Sequence, residues 1–149
     1  MPLLDDRVQK QVREALADLQ QPVRLVMFTQ REGGALECAY CGETRQLVEE
    51  IGKLSDRIAV DIRDFQADAD LAGRYGVDKI PAIVMESAGE TPTDHGIRFY
   101  GIPSGYEFSS LIEDLRMLGR GDAGLAPPTR DTIAKITRPV RIQVFVTPT

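Results

Sequence analysis

The sequence predicts an α/β fold: a three-layer α/β/α domain with a mixed central sheet, followed by one further helix and strand. Three observations lead there. Apolar residues switch between helical and strand spacing in the order βαβα and then ββα. A helix joins the first two strands, which makes that pair a parallel crossover, and the last two lie close enough for a hairpin. The 149 residues are 42% hydrophobic, enough for one domain to bury a core without metal or disulfide staples.

The elements follow in order. Val8, Val12, Leu16 and Leu19 fall at helical spacing behind Asp5 or Asp6 as N-cap, and Pro22 ends the segment. Val23–Phe28, apolar but for Arg24 and rich in strand formers, reads as a mostly buried strand. A polar loop, Gln30–Glu37 with Gly33-Gly34, leads to Cys38-Ala39-Tyr40-Cys41 and a helix carrying Leu47, Val48, Ile51 and Leu54. Ile58–Ile62 is the second strand, and Ala67–Tyr75 a short helix stopped by Gly76. Lys79–Met85 is the third strand, with Pro81 at its entrance, where a proline is tolerated. Gly89–Gly96 reads as a turn-rich connection and Ile97–Tyr100 as the fourth strand. Ser104 and Glu107 have capping-box spacing ahead of a helix with Phe108, Leu111, Ile112, Leu115 and Leu118 on one face. The expected division is a domain over 1–118, a Gly- and Pro-rich linker over 119–128, and a last unit over 129–149. That unit holds a helix around Thr132–Ile136 and a strand, Val140–Val146.

Residues 14–28 (EALADLQQPVRLVMF) align without gaps to 131–145 (DTIAKITRPVRIQVF). Ala, Pro, Val, Arg and Phe coincide, and Leu16 and Leu19 meet Ile133 and Ile136. The repeat predicts that the chain begins a second copy of its own domain after the linker. An unpaired Val140–Val146 strand would leave apolar surface and backbone groups open. It is therefore expected to pair with a sheet edge, either its own or that of a second copy in a homodimer.

Composition excludes several functions. The net charge is −5, from 18 lysines and arginines against 23 acidic residues, with no basic block to meet nucleic acid. No apolar run approaches the roughly 20 residues of a membrane helix, so no membrane partner is expected. The start, Met1–Asp6, lacks the basic and apolar regions of a secretory signal, and a cytoplasmic location is expected. Two cysteines are too few for a stapled secreted scaffold, and they lie three positions apart.

That pair carries the chemistry. A Cys-x-x-Cys at a helix start has free N–H groups and the positive helix end to stabilise a thiolate at Cys38. Cys41, one turn on, is near enough to resolve a mixed disulfide. Zinc would need about four ligands, and beyond the cysteines only His95 is on offer, so no metal is expected. Ile80-Pro81, entering a buried strand downstream, is the second element: a proline there exposes neighbouring backbone groups on which a partner chain can pair. Tyr40 is a candidate partner contact beside the sulfur. His95 reads as a solvated loop residue, Phe65, Phe99 and Phe108 as core, and Asp64, Asp68 and Asp70 as a solvated turn.

Cys38-Ala39-Tyr40-Cys41, Tyr75-Gly76-Val77 with Ile80-Pro81, and Phe99-Tyr100-Gly101-Ile102-Pro103-Ser104-Gly105 resemble the thioredoxin-like superfamily. More closely, the chain is similar to the N-terminal half of the glutaredoxin-like protein disulfide oxidoreductases, which carry two tandem thioredoxin folds, each with a Cys-x-x-Cys. The resemblance implies a cytosolic enzyme, without cofactor, that forms, reduces and reshuffles protein disulfides. It implies Cys38 as nucleophile, Cys41 as resolving thiol, Pro81 as a cis proline contacting substrate with Ile80, and thioredoxin reductase or glutathione as electron donor. Three departures stand out. The second redox pair is missing, the loop before Cys38 is long, and Val23–Phe28 lacks the buried acid of thioredoxin. Glu37 would oppose the thiolate and Lys79 favour it. A non-catalytic docking or dimerisation domain is the alternative reading.

Overall fold

A computed structural model describes residues 1–146. Its elements are α1 (Asp6–Ala15), β1 (Val23–Thr29), α2 (Cys41–Gly52), β2 (Ile58–Asp64), α3 (Ala69–Arg74), β3 (Ala82–Ser87), β4 (Thr93–Tyr100), α4 (Tyr106–Arg120) and α5 (Pro127–Ala134). One four-stranded sheet runs in the order β2-β1-β3-β4. β1 is parallel to β2 and antiparallel to β3, and β3 is antiparallel to β4. This is the mixed sheet expected from one helical crossover and one hairpin.

β1 is central, and its side chains alternate between two cores. Val23, Leu25 and Met27 join residues of α1, α2 and α4 in the larger one. Val26 and Phe28 join Ala72, Val77, Ala82 and Val84 in the smaller one, with Tyr75 and Ile80 packed against it. Burial on both faces explains why Leu25–Phe28 are apolar in succession rather than alternating. Fully burying each such side chain contributes about 1.5–3 kcal/mol. Phe65 and Phe108 are half-buried against these cores and Phe99 is buried.

Near the start of β1, on the α3 side, Arg24 lies in register with Glu86 of β3. Its guanidinium donates to Glu86 Oε2 at 2.5 and 2.8 Å, and the Tyr75 hydroxyl donates to Glu86 Oε1 at 2.5 Å. Glu86 is thus a buried carboxylate fully engaged by its neighbours. Burial first, and then the bond to Glu86, pushes the Tyr75 phenol above its usual range.

Several helix ends and the N-terminal segment are held by hydrogen bonds, some local and some between residues distant in sequence. Asp5 caps α1, accepting from the Val8 N–H at 2.8 Å. Glu50 of α2 accepts from the N–H groups of Leu3 and Leu4 at 2.9 Å and holds the N-terminal segment against that helix. α4 ends on Gly121, left-handed at φ +69°, and the Gly119 carbonyl accepts from the N–H groups of Gln20 and Gln21.

Several expectations are corrected. Val140–Val146 is neither helix nor strand, and every residue from Gly121 to Val146 is exposed. The segment lacks flanking strands, so its alternation has nothing to bury against. The last helix is Pro127–Ala134 rather than 132–136, because Pro127 and Pro128 serve as its first turn. The Ser104–Glu107 capping box does not form. Gly105, at φ +57°, is the N-cap of α4, and the Glu107 N–H reaches only the Ser104 carbonyl. β4 starts at Thr93, which places His95 on a strand, its Nε2 3.0 Å from Ser87 Oγ. Thr147-Pro148-Thr149, the end of the expected last unit, lies outside the described residues.

Candidate functional site

The site lies beyond the C-terminal end of β1, at the start of α2. Cys38 and Cys41 form a disulfide, with Cα atoms 5.5 Å apart. Cys41 opens α2 and is buried, whereas Cys38, in the loop before it, is half-exposed. Tyr40 is the N-cap residue, makes no side-chain cap bond, and leaves 54% of its surface to solvent. The first N–H groups of α2 therefore face the sulfur pair without a side-chain acceptor, which favours negative charge there.

The loop into the pair is tied at both ends. The Thr29 carbonyl accepts from the Phe65 N–H at 2.8 Å. The Asp64 carboxyl is held below its ordinary range, first by the Ala67 N–H and, against burial, by the N–H groups of Gln66 and Arg31 and the Arg31 charge. Further on, the Gln30 carboxamide meets the backbone of Leu36. Its Oε1 accepts from the Leu36 N–H at 2.9 Å, and its Nε2 donates to the Leu36 carbonyl. Between these ties, Gly33 takes a left-handed φ of +75° and the Gly34 N–H closes a turn on the Arg31 carbonyl at 3.0 Å. Loop, sulfurs and the first turn of α2 bound a cleft of about 490 Å³, with Arg31 and Arg45 among its lining residues. Arg45 also pairs with Glu49 at 2.8 Å.

The Ile80–Pro81 peptide bond is cis. Pro81 is buried, its carbonyl accepts from the Gly101 N–H at 2.9 Å, and Ile80 is half-buried against the smaller core. Lys79 does not stand free beside the sulfurs. It pairs with Asp78 at 2.6 Å, lies 4.6 Å from the Tyr100 ring centre, and its ammonium is held above its usual range chiefly by Asp78. Among the described residues no cluster of histidine, cysteine and acid could hold a metal ion. No described helix is long and apolar enough to cross a membrane. The sequence shows the length of the loop before Cys38 and its Gln30, Gly33-Gly34 and Glu37, but not the pairing of Gln30 with Leu36, whose only signal is a glutamine ahead of two glycines.

Solved structures share this fold. The N-terminal domain of the alkylhydroperoxide reductase AhpF of Enterococcus faecalis superposes with a TM-score of 0.76 at 23% identity, over 87% of this chain and 59% of that one. A protein disulfide oxidoreductase from Aeropyrum pernix K1 superposes at 0.72 with 22% identity, over 89% and 56%. The fold is thioredoxin-like. No protein-family model matches the chain. By sequence it is 29% identical over 117 residues to the AhpF alkyl hydroperoxide reductase of Escherichia coli, spanning 78% of this chain but 19% of that protein. This thioredoxin-like chain thus covers about a fifth of the curated relative it matches, and somewhat over half of each solved structure.

Proposed function

We propose that the chain is a protein disulfide oxidoreductase of thioredoxin- or glutaredoxin-like chemistry, acting on protein thiols and disulfides through Cys38 and Cys41. The observation that carries the reading is the unequal exposure of the two sulfurs at the start of α2, half-open at Cys38 and buried at Cys41. In the reduced protein the Cys38 thiolate attacks a substrate disulfide. A Cys38–substrate bond forms and one substrate thiolate leaves. Cys41, as thiolate, then attacks Cys38 Sγ, closes the Cys38–Cys41 disulfide and releases the second substrate sulfur. Two electrons pass from the cysteine pair to the substrate, and an external dithiol or glutathione must return them. Run backwards, the same steps oxidise a substrate dithiol.

Tyr40 supports the reading as an exposed ring beside the attacking sulfur. Ile80 supports it as a docking position at the entrance to β3, where its N–H and carbonyl have no hydrogen-bond partner among the described residues. In this reading thioredoxin reductase or glutathione supplies the electrons, the protein works in the cytoplasm, and residues 1–118 form the redox unit. Residues 129–149 start a second unit whose Val140, Ile142 and Val144 are exposed and unpaired in the single chain, and would find a sheet edge only where two copies meet in a homodimer.

Insulin reduction with dithiothreitol tests the central claim. The chain should accelerate precipitation of the insulin B chain, and Cys38→Ser should abolish the effect. Cys41→Ser should accumulate mixed disulfides through Cys38. No acceleration by the wild-type chain would leave the docking reading in its place.

A further inference from the structure

We propose that Gln30 is a positioning residue for the Cys38–Cys41 pair, a side-chain latch that fixes the loop carrying Cys38. This deepens the exchange reading above and rests on it for its functional meaning. Gln30 is the first residue after β1, and Leu36 lies two residues before Cys38. A primary amide that accepts from the N–H and donates to the carbonyl of one residue reproduces the two-bond pairing of antiparallel strands. The Gln30 carboxamide does this at Leu36.

The near end of the loop is already held, through the Thr29 carbonyl on the Phe65 N–H. The latch passes that fixed position across residues 30–36 to the backbone just before the sulfur. Without it, two glycines, one at positive φ, would leave Cys38 on a loose connection to β1. Where Cys38 sits relative to the first N–H groups of α2 decides how strongly they stabilise its thiolate.

Gly34 is the seat of the latch. A Cβ there would lie 2.9 Å from Gln30 Cδ, closer still to Oε1, and 3.0 Å from the Arg31 carbonyl oxygen. Only a residue without a side chain lets the amide lie against the loop. Asparagine at position 30 would fall one methylene short, and methionine would keep the length without either hydrogen bond.

The test is the pH dependence of iodoacetamide alkylation of Cys38 in the reduced full chain, followed by mass spectrometry, with the melting temperature measured alongside. Gln30→Ala and Gln30→Met should move the profile to higher pH and slow Cys38 alkylation at neutral pH by roughly three- to tenfold. The melting temperature should move little. Gly34→Ala should reproduce the shift in the wild-type background and lose most of its effect in the Gln30→Ala background, where the amide it strikes is gone. Should Gln30→Ala fail to fold, Gln30→Asn carries the same expectation. An unchanged Cys38 profile in the Gln30 variants, or a Gly34→Ala effect equal in both backgrounds, overturns the latch. Because alkylation needs no protein substrate, the latch and the exchange reading fail separately: a wild-type chain inert toward insulin removes the latter alone.

Discussion

Leu25, in the middle of β1, has no exposed surface, whereas Ile142, at the same place in the repeated pattern of residues 131–145, is 80% exposed. The contrast holds along the whole repeat. Leu16, Leu19, Val23, Met27 and Phe28 are buried, and Ile133, Ile136, Val140, Val144 and Phe145, their counterparts, are exposed. The two segments share the Pro-Val-Arg junction and nearly the same apolar spacing, so local preference cannot separate them. Their neighbours do. β1 enters between β2 and β3, and Leu19 is met by Gly119 at the end of α4. Residues 140–146 find neither strand nor helix to lie against. Burial and hydrogen bonding of a strand belong to the sheet that receives it.

Hydrogen exchange sharpens this comparison most. Amides of Leu25 and Met27, central in the sheet, should exchange only through global unfolding, protected by orders of magnitude, while amides of 140–146 should exchange at nearly unprotected rates. Matching protection in the two segments would break the contrast and show that the second is paired in solution. Next in size, Leu25→Ala should cost about 2–5 kcal/mol in urea unfolding, and Ile142→Ala should stay within about 0.5 kcal/mol. A large loss at Ile142 would again mean a buried partner.

Gly119→Ala probes the joint between the segments' surroundings. Alanine is the better helix former, yet its Cβ would lie 3.0 Å from Leu19 Cγ, so crowding should win and cost about 1–3 kcal/mol by thermal melting. A stabilised Gly119→Ala protein would show that Leu19 yields easily. The smallest effect concerns acid. Asp18 is held below its ordinary range chiefly by Arg120, Asp64 by the Ala67 N–H, and Asp94 by Arg98. Each folded value is depressed, so each contribution is present above the usual carboxylate range near pH 4 and is lost as pH falls through the lowered value. All three lie before residue 119. A chain ending near Pro128 should therefore show the same acid-unfolding curve as the full chain, followed by circular dichroism.

Much of the fold was legible because it depends on short-range pattern. Asp5 or Asp6 ahead of Val8 announced the first cap, Val23–Phe28, apolar but for Arg24, announced a mostly buried strand, and Cys38 and Cys41 announced the helix start. What escaped depends on partners distant in sequence. The strand expected over Lys79–Met85 runs on through Glu86 to Ser87, because Arg24, lying in register on β1, and Tyr75 satisfy the Glu86 carboxylate. His95 looked like a turn residue because Gly89 and Gly96 flank it, yet β3 draws it into β4. The Gln30–Leu36 pairing has no periodicity at all. It is a single amide finding a single peptide, and only the folded loop brings them together.

The Tyr75–Glu86 bond also gives the molecule an optical signature. There are four tyrosines and no tryptophan, so tyrosine alone supplies the intrinsic fluorescence. A carboxylate that accepts a phenol's hydrogen bond draws off the proton when the ring is excited and darkens it. Tyr75 is therefore a dim fluorophore while β3 and the turn after α3 stay packed. It brightens when they part, which gives a label-free readout of the core on the sheet face where α3 lies.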